Sequence, residues 1–512
     1  MKISRRGVVA SLASTLAGAA APASRASTAL EFGPPKPFSF KGLVALARVM
    51  ATRPNRPPSA AGGDVIAALD FDAMAQIRFR PDAALWKGSG DFGAVEFFHL
   101  GQHAPYQVAI HVVEDGQARQ VVYRDALFDM PEDFRAREAG LDLGFSGFRV
   151  LNSKGAGDWL AFQGASYFRA ATPFNQYGLS ARGLAINTAT PHPEEFPVFT
   201  EFWLGREESG RLIVHALLES ESVVGAVRIQ NLRSGTELVQ DIDATFFFRG
   251  SIDRLGLAPV TSMFWYGQAG RPATADWRPQ IHDSDGLAMW TGAGERIWRP
   301  LDNPPRIITN AFSDLHPRGF GLMQRDRNFD DYQDDGAYYD RRPSAWVEPI
   351  GDWGAGSVQL VEIPATGETD DNIVAFWTPS LPIRAGETFS VRYRLHWCDE
   401  EPQDVGVAKV VATREGRSGR PGQAPLPGAR KFVVDFAGGR LAALDRQSGV
   451  MAVVQCSVGQ PIGATAYPVV GTGRWRLMFD ADIAAGRVLD LRAYLAIGSE
   501  ALTESWIFQA FG

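Results

Sequence analysis

Two acidic segments, far apart in the chain, contain the side chains best suited to chemistry. Residues 282–287 read His-Asp-Ser-Asp-Gly-Leu and precede Trp290. Residues 366–372 read Thr-Gly-Glu-Thr-Asp-Asp-Asn and lead into an apolar run that ends at Trp377. Sugars bind to aromatic faces and charged hydrogen-bonding groups, and glycosidic bonds are cleaved by two carboxyl groups held apart. The two segments therefore predict a carbohydrate-active enzyme.

The charge balance restricts the class of partner. The chain has 512 residues and a formal net charge of −7, and residues 1–26 contain four basic and no acidic side chains. Loss of those residues would therefore leave a charge of −11. Such a protein does not favour nucleic acid or an anionic membrane surface as its main partner. A neutral polymer fits better.

The first residues predict export. Arg5 and Arg6 form a twin-arginine pattern, an apolar stretch spans 8–21, and no acidic residue occurs before Glu31. The stretch is too short and too rich in small residues to span a bilayer, so residues 1–26 are predicted to be a twin-arginine signal peptide. This predicts a periplasmic protein with no integral membrane segment in its mature form.

Cysteine and histidine residues give no sign of a metal site. The two cysteines, Cys398 and Cys456, could remain thiols or form one disulfide in an oxidising periplasm, and spacing alone leaves both possibilities open. The eight histidines show no ligand spacing typical of a metal centre. We therefore expect no cofactor.

The elements that must position the acidic segments are predicted to be mostly strands. Runs that mix aromatic and β-branched residues occur at 77–80, 95–98, 107–113, 145–150, 211–215, 243–248, 431–436, 451–455 and 475–479. Asp115-Gly116 is a typical hairpin turn. One helix is predicted over 40–51, with Leu43, Leu46, Ala47 and Met50 on one face. Many short strands predict packed antiparallel sheets.

The predicted domains follow from a break in composition. Residues 27–397 form a large strand-rich region, 398–406 an acidic linker, and 407–512 a second region whose length and short strands fit an immunoglobulin-like sandwich. An insert rich in Arg, Gly and Pro is predicted over 414–430. Either it is a solvated hairpin loop, or it reaches the cleft of a neighbouring subunit.

Several segments together resemble a known family. They are residues 164–170, 177–185, 282–287, 296–301, 342–349 and 366–369. With them the chain resembles the osmoregulated periplasmic glucan biosynthesis proteins, OpgG and OpgD (also called MdoG and MdoD), and its twin-arginine signal is more like the OpgD branch. The resemblance implies an all-β fold, with a large galactose-mutarotase-like β-sandwich domain and a C-terminal immunoglobulin-like β-sandwich.

The resemblance also implies an activity. Members of the family include inverting endo-β-1,2-glucanases and transglycosylases, so the expected substrate is β-1,2-glucan. By resemblance the general acid is Asp371 and the general base is Asp283, with Asp370 and Asp285 as the alternatives. A general acid must be protonated near neutral pH, and nearby Glu368 and Asp370 could promote this.

The resemblance also implies substrate contacts. By resemblance Glu368, Tyr339 and Arg342 contact glucan, although Tyr339 and Arg342 could equally belong to a solvated loop with an ion pair. Four tryptophans near the two segments could stack on glucose rings or fill a sandwich core: Trp290, Trp298, Trp346 and Trp377. Trp290 and Trp346 are the predicted stacking residues.

Two functions remain open at this point. The first is a glycoside hydrolase or transglycosylase, and the second is a non-catalytic glucan-binding factor that guides synthesis and branching. The choice between hydrolysis and transglycosylation depends on whether water or a sugar hydroxyl attacks. A homodimer is also expected, because relatives that this chain resembles can place a C-terminal-domain loop near a partner's cleft.

Overall fold

The computed structural model describes residues 29–56, 63–88, 93–131, 143–153, 157–207, 210–234, 237–270, 276–403, 406–419, 422 and 424–512. The predicted signal peptide, residues 1–26, lies outside the described residues. In the described part of the chain, every helix is too short or too polar to cross a bilayer.

Helices are few and short. They are α1 (Phe40–Ala51), α2 (Gly63–Ala67) and α3 (Phe71–Ala75). Helix α1 has the predicted bounds, and its first turn is capped by Ser39, whose Oγ accepts a hydrogen bond from the Gly42 amide at 3.1 Å. Leu43 and Ala47 are buried as predicted, whereas Leu46 is 42% exposed and does not belong to the packed face.

Strands form most of the molecule. In the first half of the chain they are β1 (Lys36–Pro37), β2 (Arg78–Phe79), β3 (Val95–His99), β4 (Ala109–Glu114), β5 (Gln117–Gln120), β6 (Phe128–Asp129), β7 (Phe145–Leu151), β8 (Asp158–Gln163), β9 (Tyr167–Ala170), β10 (Ser180–Arg182), β11 (Ala185–Ile186), β12 (Val198–Arg206), β13 (Leu212–Glu219), β14 (Val223–Ser234), β15 (Glu237–Phe248) and β16 (Leu255–Ser262).

The remaining strands continue to the C-terminus. They are β17 (Phe264–Tyr266), β18 (Ile281–His282), β19 (Gly286–Trp290), β20 (Arg296–Pro300), β21 (Ile308–Leu315), β22 (Gly319–Met323), β23 (Ser344–Ile350), β24 (Ala355–Glu362), β25 (Ile373–Pro379), β26 (Thr388–Cys398), β27 (Lys409–Arg417), β28 (Ala429–Ala437), β29 (Met451–Cys456), β30 (Ile462–Val469), β31 (Arg474–Asp482), β32 (Val488–Ile497), β33 (Glu500–Ala501) and β34 (Ser505–Phe511).

The chain divides into two compact units. The first contains the chain up to Val260, Thr369–Asp371 and Phe376–Trp397, and the second contains Thr261–Glu368, Asn372–Ala375 and Cys398–Gly512. Within the second unit, the parallel pairing of β20 with β34 joins the segment 261–368 to the segment 398–512. This division differs from the predicted regions 27–397 and 407–512, and those domain boundaries stay a prediction.

The first unit contains strands of two sheets. One has the order β1-β5-β4-β12-β13-β14-β15-β26, and the other has the order β3-β7-β8-β9-β10-β16. Aromatic side chains connect the two sheets: Phe148 of β7 and Phe202 of β12 have ring centroids 5.2 Å apart. Asp115 and Gly116 both have positive φ in the β4–β5 hairpin, which confirms the predicted turn.

The second unit contains a β23-β22-β19-β20-β34-β32-β29 arrangement and the four-stranded sheet β27-β28-β31-β30. Their inner faces share one hydrophobic cluster, to which Phe432 contributes from β28, Phe479 from β31 and Trp506 from β34. A cluster supplied by both sheets is the core expected of a β-sandwich. The predicted all-β fold class with β-sandwich domains is therefore confirmed.

The predicted insert at 414–430 is shorter in the structure. Strand β27 continues to Arg417 and strand β28 begins at Ala429, so the two strands pair through Arg417 and Arg430. Arg414 is bonded to Asp435, and Arg430 is bonded to Glu415. These two arginines are therefore engaged inside the hairpin sheet, while Arg420 lies outside the described residues.

Both cysteines lie in the second unit. Cys398 is buried, Cys456 is partly buried, and no disulfide joins them. Of the two possibilities that the sequence left open, the structure therefore has both cysteines as free thiols.

Candidate functional site

Asp283 lies directly after strand β18, at a buried position. Its amide donates a hydrogen bond to the Met263 carbonyl at 2.8 Å, which fixes the backbone of the segment against the preceding strand. Its Oδ1 lies 3.5 Å from Nε of Arg342. Arg342 directly follows a short 3₁₀ turn, Tyr339–Arg341. Two residues predicted to belong to one site, the base Asp283 and the glucan contact Arg342, are thus neighbours.

His282 supports Asp283 without being a titrating group at neutral pH. The imidazole is fully buried, stacks on Phe264 with centroids 5.3 Å apart, and contacts the side-chain oxygens of Gln324 at 3.0 Å and Gln280 at 3.1 Å. Burial lowers the pKa of His282 to about 4, since a charged ring is poorly solvated there. His282 therefore holds its strand in place as a neutral ring.

Gln324 connects the strand before Asp283 to the turn before Arg342. Its Nε2 has two hydrogens for three acceptors within hydrogen-bond distance: the Tyr339 carbonyl at 2.9 Å, the Tyr332 hydroxyl at 2.9 Å and the His282 carbonyl at 3.3 Å. The side chain is completely buried. A buried amide with this many partners fixes the relative position of the elements that it joins.

Glu368 belongs to a network of charges in the same unit. It accepts hydrogen bonds from the Tyr339 hydroxyl and, at 2.9 Å, from Nη1 of Arg278. Arg278 also donates to Asp334 at 2.6 Å and to Asp276. Burial alone would lower the pKa of Arg278, but these carboxylates raise it, so the guanidinium stays charged. The predicted contacts Glu368 and Tyr339 are therefore joined directly.

Asp371 belongs to the first unit. Its side chain is 5% exposed, and its Oδ2 lies 3.5 Å from Nη2 of Arg169 on strand β9. The next residue, Asn372, accepts a hydrogen bond from the Phe264 amide at 2.8 Å and donates to the Phe264 and Ile363 carbonyls at 2.9 Å. Asn372 thus anchors the chain immediately after Asp371.

The comparisons identify the family. Residues 38–510 match the family described as "Periplasmic glucan biosynthesis protein, MdoG". The chain belongs to this family. It is 44% identical over 526 residues to glucans biosynthesis protein D 2 of Ralstonia nicotianae, with 99% of this chain and 97% of the relative covered. It is 46% identical over 486 residues to glucans biosynthesis protein D of Xanthomonas axonopodis pv. citri, with 93% and 91% covered.

Solved structures give a much weaker likeness. The galactosidase domain of the α-galactosidase-sucrose kinase AgaSK matches with a TM-score of 0.25 and 11% identity, over 42% of this chain and 29% of that chain. Family membership confirms the resemblance seen in the sequence, and it implies a periplasmic protein with a role in glucan biosynthesis.

The alternative carboxylates of this MdoG-family chain are placed differently from the predicted pair. Asp285 accepts hydrogen bonds from the backbone amides of Arg325 at 3.2 Å and Asp326 at 2.9 Å, so it caps a loop. Burial raises the pKa of the Asp285 carboxyl. Asp370 is partly buried as a residue, like its neighbour Asp371. Asp285 thus has a structural role as the cap of this loop.

The predicted stacking tryptophans differ in exposure. Trp290 is partly buried, and two guanidinium groups lie near its ring, Arg296 at 3.9 Å and Arg318 at 5.2 Å from the centroid. Trp346 is 3% exposed and belongs to the hydrophobic cluster of the second unit. A Cβ on Gly319 would lie 2.3 Å from its ring, so the indole is tightly enclosed. Trp346 therefore offers no face to a sugar in this structure, contrary to the prediction.

Trp298 and Trp377 are buried as well. Gly286 of the first acidic segment explains part of this packing, because a Cβ there would lie 2.1 Å from the Trp298 ring. In the described part of the chain, no cluster of His, Cys, Asp and Glu side chains has the arrangement needed to hold a metal ion.

The sequence did not predict a role in the site for three residues: Gln324, Arg278 and Arg169. None belongs to a recognisable motif, and each acquires its contact only through folding: Arg278 is distant in sequence from Glu368, and Arg169 is distant from Asp371. The only sequence signal was indirect, since Arg169 lies in one of the segments that carry the family resemblance.

Proposed function

We propose that this protein is a periplasmic enzyme that processes β-1,2-glucan backbones by inverting endo-β-1,2-glucanase or transglycosylase chemistry. Asp371 serves as general acid and Asp283 as general base. The observation that carries the proposal is that both aspartates have buried carboxyl groups, with side chains that are 5% exposed for Asp371 and 2% exposed for Asp283. Carboxyl groups held in this way are preorganised rather than solvated loop residues.

The surroundings of Asp371 support its role. Its Oδ2 is buried, makes no hydrogen bond within the described residues, and lies 3.5 Å from Nη2 of Arg169. An acid must direct one oxygen towards the leaving-group oxygen of the substrate rather than towards the protein. The anchoring of Asn372 reduces the freedom of the backbone next to it, and this favours a defined carboxyl position.

The surroundings of Asp283 support a base held by its neighbours. Arg342 lies beside the carboxylate, and the buried His282–Gln324 pair fixes the strand that precedes it. Glu368 and Tyr339, joined by a hydrogen bond, supply polar groups of the kind that orient sugar hydroxyls. The twin-arginine pattern at Arg5 and Arg6 supports export of the protein by that route.

The alternative function is a glucan-binding factor without catalysis. Purified linear β-1,2-glucan incubated with the mature protein distinguishes the two functions by product size. Shortened products with inverted anomeric configuration, seen by proton NMR, support hydrolysis, whereas cyclic or lengthened products support transglycosylation. Intact glucan that co-migrates with the protein would support the binding factor. The matched control is the Asp371→Asn, Asp283→Asn double variant.

A further inference from the structure

Trp277 is an unusually exposed tryptophan. Its side chain is 69% exposed, although a large apolar ring is ordinarily mostly covered. It lies in the second unit, between Asp276 and Arg278. Covering a large exposed indole with a ligand is favourable, because it removes apolar surface from water.

Both neighbours of Trp277 are held in fixed positions. The Tyr266 hydroxyl lies 3.1 Å from Oδ1 of Asp276 and 3.0 Å from the Arg278 carbonyl, and these two acceptors share its one hydrogen. The Arg278 amide donates to Oδ1 of Asp276 at 2.8 Å, which closes the bend on itself. Tyr266 is completely buried. The indole is therefore presented from a rigid bend, which reduces the entropy lost on binding.

The same bend leads directly to the predicted glucan contacts. Arg278 donates to Glu368 at 2.9 Å and to Asp334 at 2.6 Å, and Glu368 also accepts from Tyr339. The residue that adjoins Trp277 in the chain thus bonds one of the predicted contacts. An exposed ring, one residue away from a guanidinium that binds charged acceptors, offers the combination that binds a sugar, whose apolar face stacks while its hydroxyls donate hydrogen bonds.

We propose that Trp277 forms a glucosyl-binding subsite, in which one glucose ring of the β-1,2-glucan chain stacks on the indole beside the Arg278–Glu368 pair. This rests on the proposed function, because it concerns the same polymer. The subsite holds the chain and takes no part in bond cleavage.

The test compares Trp277→Ala, Trp277→Phe and Leu381→Ala. Leu381 is 77% exposed in the first unit and controls for the loss of an exposed apolar side chain. We expect KM for linear β-1,2-glucan to rise about 3- to 10-fold in Trp277→Ala, while kcat stays within about twofold, because one aromatic contact has been removed from binding alone. Trp277→Phe should recover most of the loss.

A second readout does not depend on turnover. Glucan should shift the tryptophan emission of the wild-type protein to shorter wavelength, and Trp277→Ala should lose most of that shift with an unchanged melting temperature. Unchanged KM and an unchanged fluorescence response in Trp277→Ala would overturn the subsite alone. A wild-type protein that neither binds nor alters the glucan would overturn the proposed function together with the subsite.

Discussion

Arg342 lies with its Nε 3.5 Å from Oδ1 of Asp283, at the end of a 3₁₀ turn whose first residue, Tyr339, is held by Gln324. The backbone carbonyl of Tyr339 is thus fixed to the side chain that also contacts His282, the residue before Asp283. The two residues therefore reach each other from segments joined by one buried amide. This arrangement explains why residues from separate segments can act together.

Asp371→Asn should abolish cleavage and leave folding and glucan binding largely intact. The amide is nearly isosteric but cannot donate the catalytic proton, so turnover should fall about 10²- to 10⁴-fold. Product sizing after incubation with linear glucan measures the rate, and thermal melting serves as the folding control. Near-normal turnover would remove Asp371 from the mechanism and direct attention to Asp370.

Asp283→Asn should reduce turnover by a similar factor, about 10²- to 10⁴-fold, because an amide cannot accept the proton of the attacking hydroxyl. Its melting temperature should stay close to that of the wild type, since the change keeps the shape of the side chain. The matched control is Asp285→Asn, which removes charge from the loop cap. If Asp283→Asn unfolds the protein while Asp285→Asn folds but is inactive, Asp285 is the better base.

Gln324→Leu should weaken both stability and turnover. Leucine removes hydrogen bonds to buried groups on three neighbouring elements, and each buried group left unsatisfied costs about 1–3 kcal/mol in free energy of unfolding. Turnover should fall further than the folded fraction alone explains, because the Asp283 and Arg342 segments lose their common support.

Chemical denaturation and steady-state kinetics on the folded fraction separate these effects for Gln324→Leu. Gln359→Leu is a suitable control, because Gln359 is also a buried amide on a strand of the second unit and is distant from this network in sequence. Equal specific activity per folded molecule in Gln324→Leu and the wild type would show that Gln324 is only a stabilising residue.

The sequence predicted the elements better than the connections between them. Helix α1 was predicted with its observed bounds, because apolar spacing and the prolines beyond Arg53 are local signals. The Asp115–Gly116 turn was predicted for the same reason. Gln324, by contrast, is a single polar residue directly after β22, and only tertiary packing determines its hydrogen-bond partners.

Exposure was the hardest property to predict. Trp346 and Trp277 are both tryptophans near charged residues, yet one is enclosed and the other exposed. Strand alternation cannot separate these cases, because a residue on a strand buried on both faces and a residue in a bend leave similar patterns. The family resemblance supplied the identity of Asp283 and Asp371, which composition and spacing could not have distinguished from ordinary turn residues.

Acid should destabilise the protein partly through His282. The folded-state pKa of about 4 lies below the ordinary histidine pKa of 6.5, so the unfolded chain binds the proton more tightly. The stabilisation is therefore present above pH 6.5 and is lost as the pH falls from 6.5 to about 4. The full contribution is about 3 kcal/mol in free energy of unfolding.

His282→Gln should therefore flatten the pH dependence of unfolding over this range, whatever its stability at neutral pH. Urea denaturation at several pH values gives the slope for the variant and the wild type. The matched control is His215→Gln, since burial also lowers the pKa of His215 to about 4, in the first unit. An unchanged slope in His282→Gln would mean that the pKa of His282 is the same in the folded and unfolded protein.

The hairpin between β27 and β28 should mediate the predicted homodimer. Its connection is tethered, because the Ser418 hydroxyl bonds the Leu426 carbonyl at 3.0 Å and the Gly419 amide bonds Asp480 at 3.1 Å. Arg417 is exposed at its base, whereas Arg414 and Arg430 are engaged within the sheet. We expect this connection to cover the glucan site of a partner subunit. Replacing residues 417–427 with a short Gly-Ser turn should lower activity on long glucan without unfolding the protein, while light scattering should show a dimer becoming a monomer.

The control for this deletion is Arg440→Ala, which changes an exposed charge elsewhere on the same unit and so tests for general surface effects. A wild-type monomer, together with full activity of the shortened variant, would contradict both the dimer and the role of the hairpin.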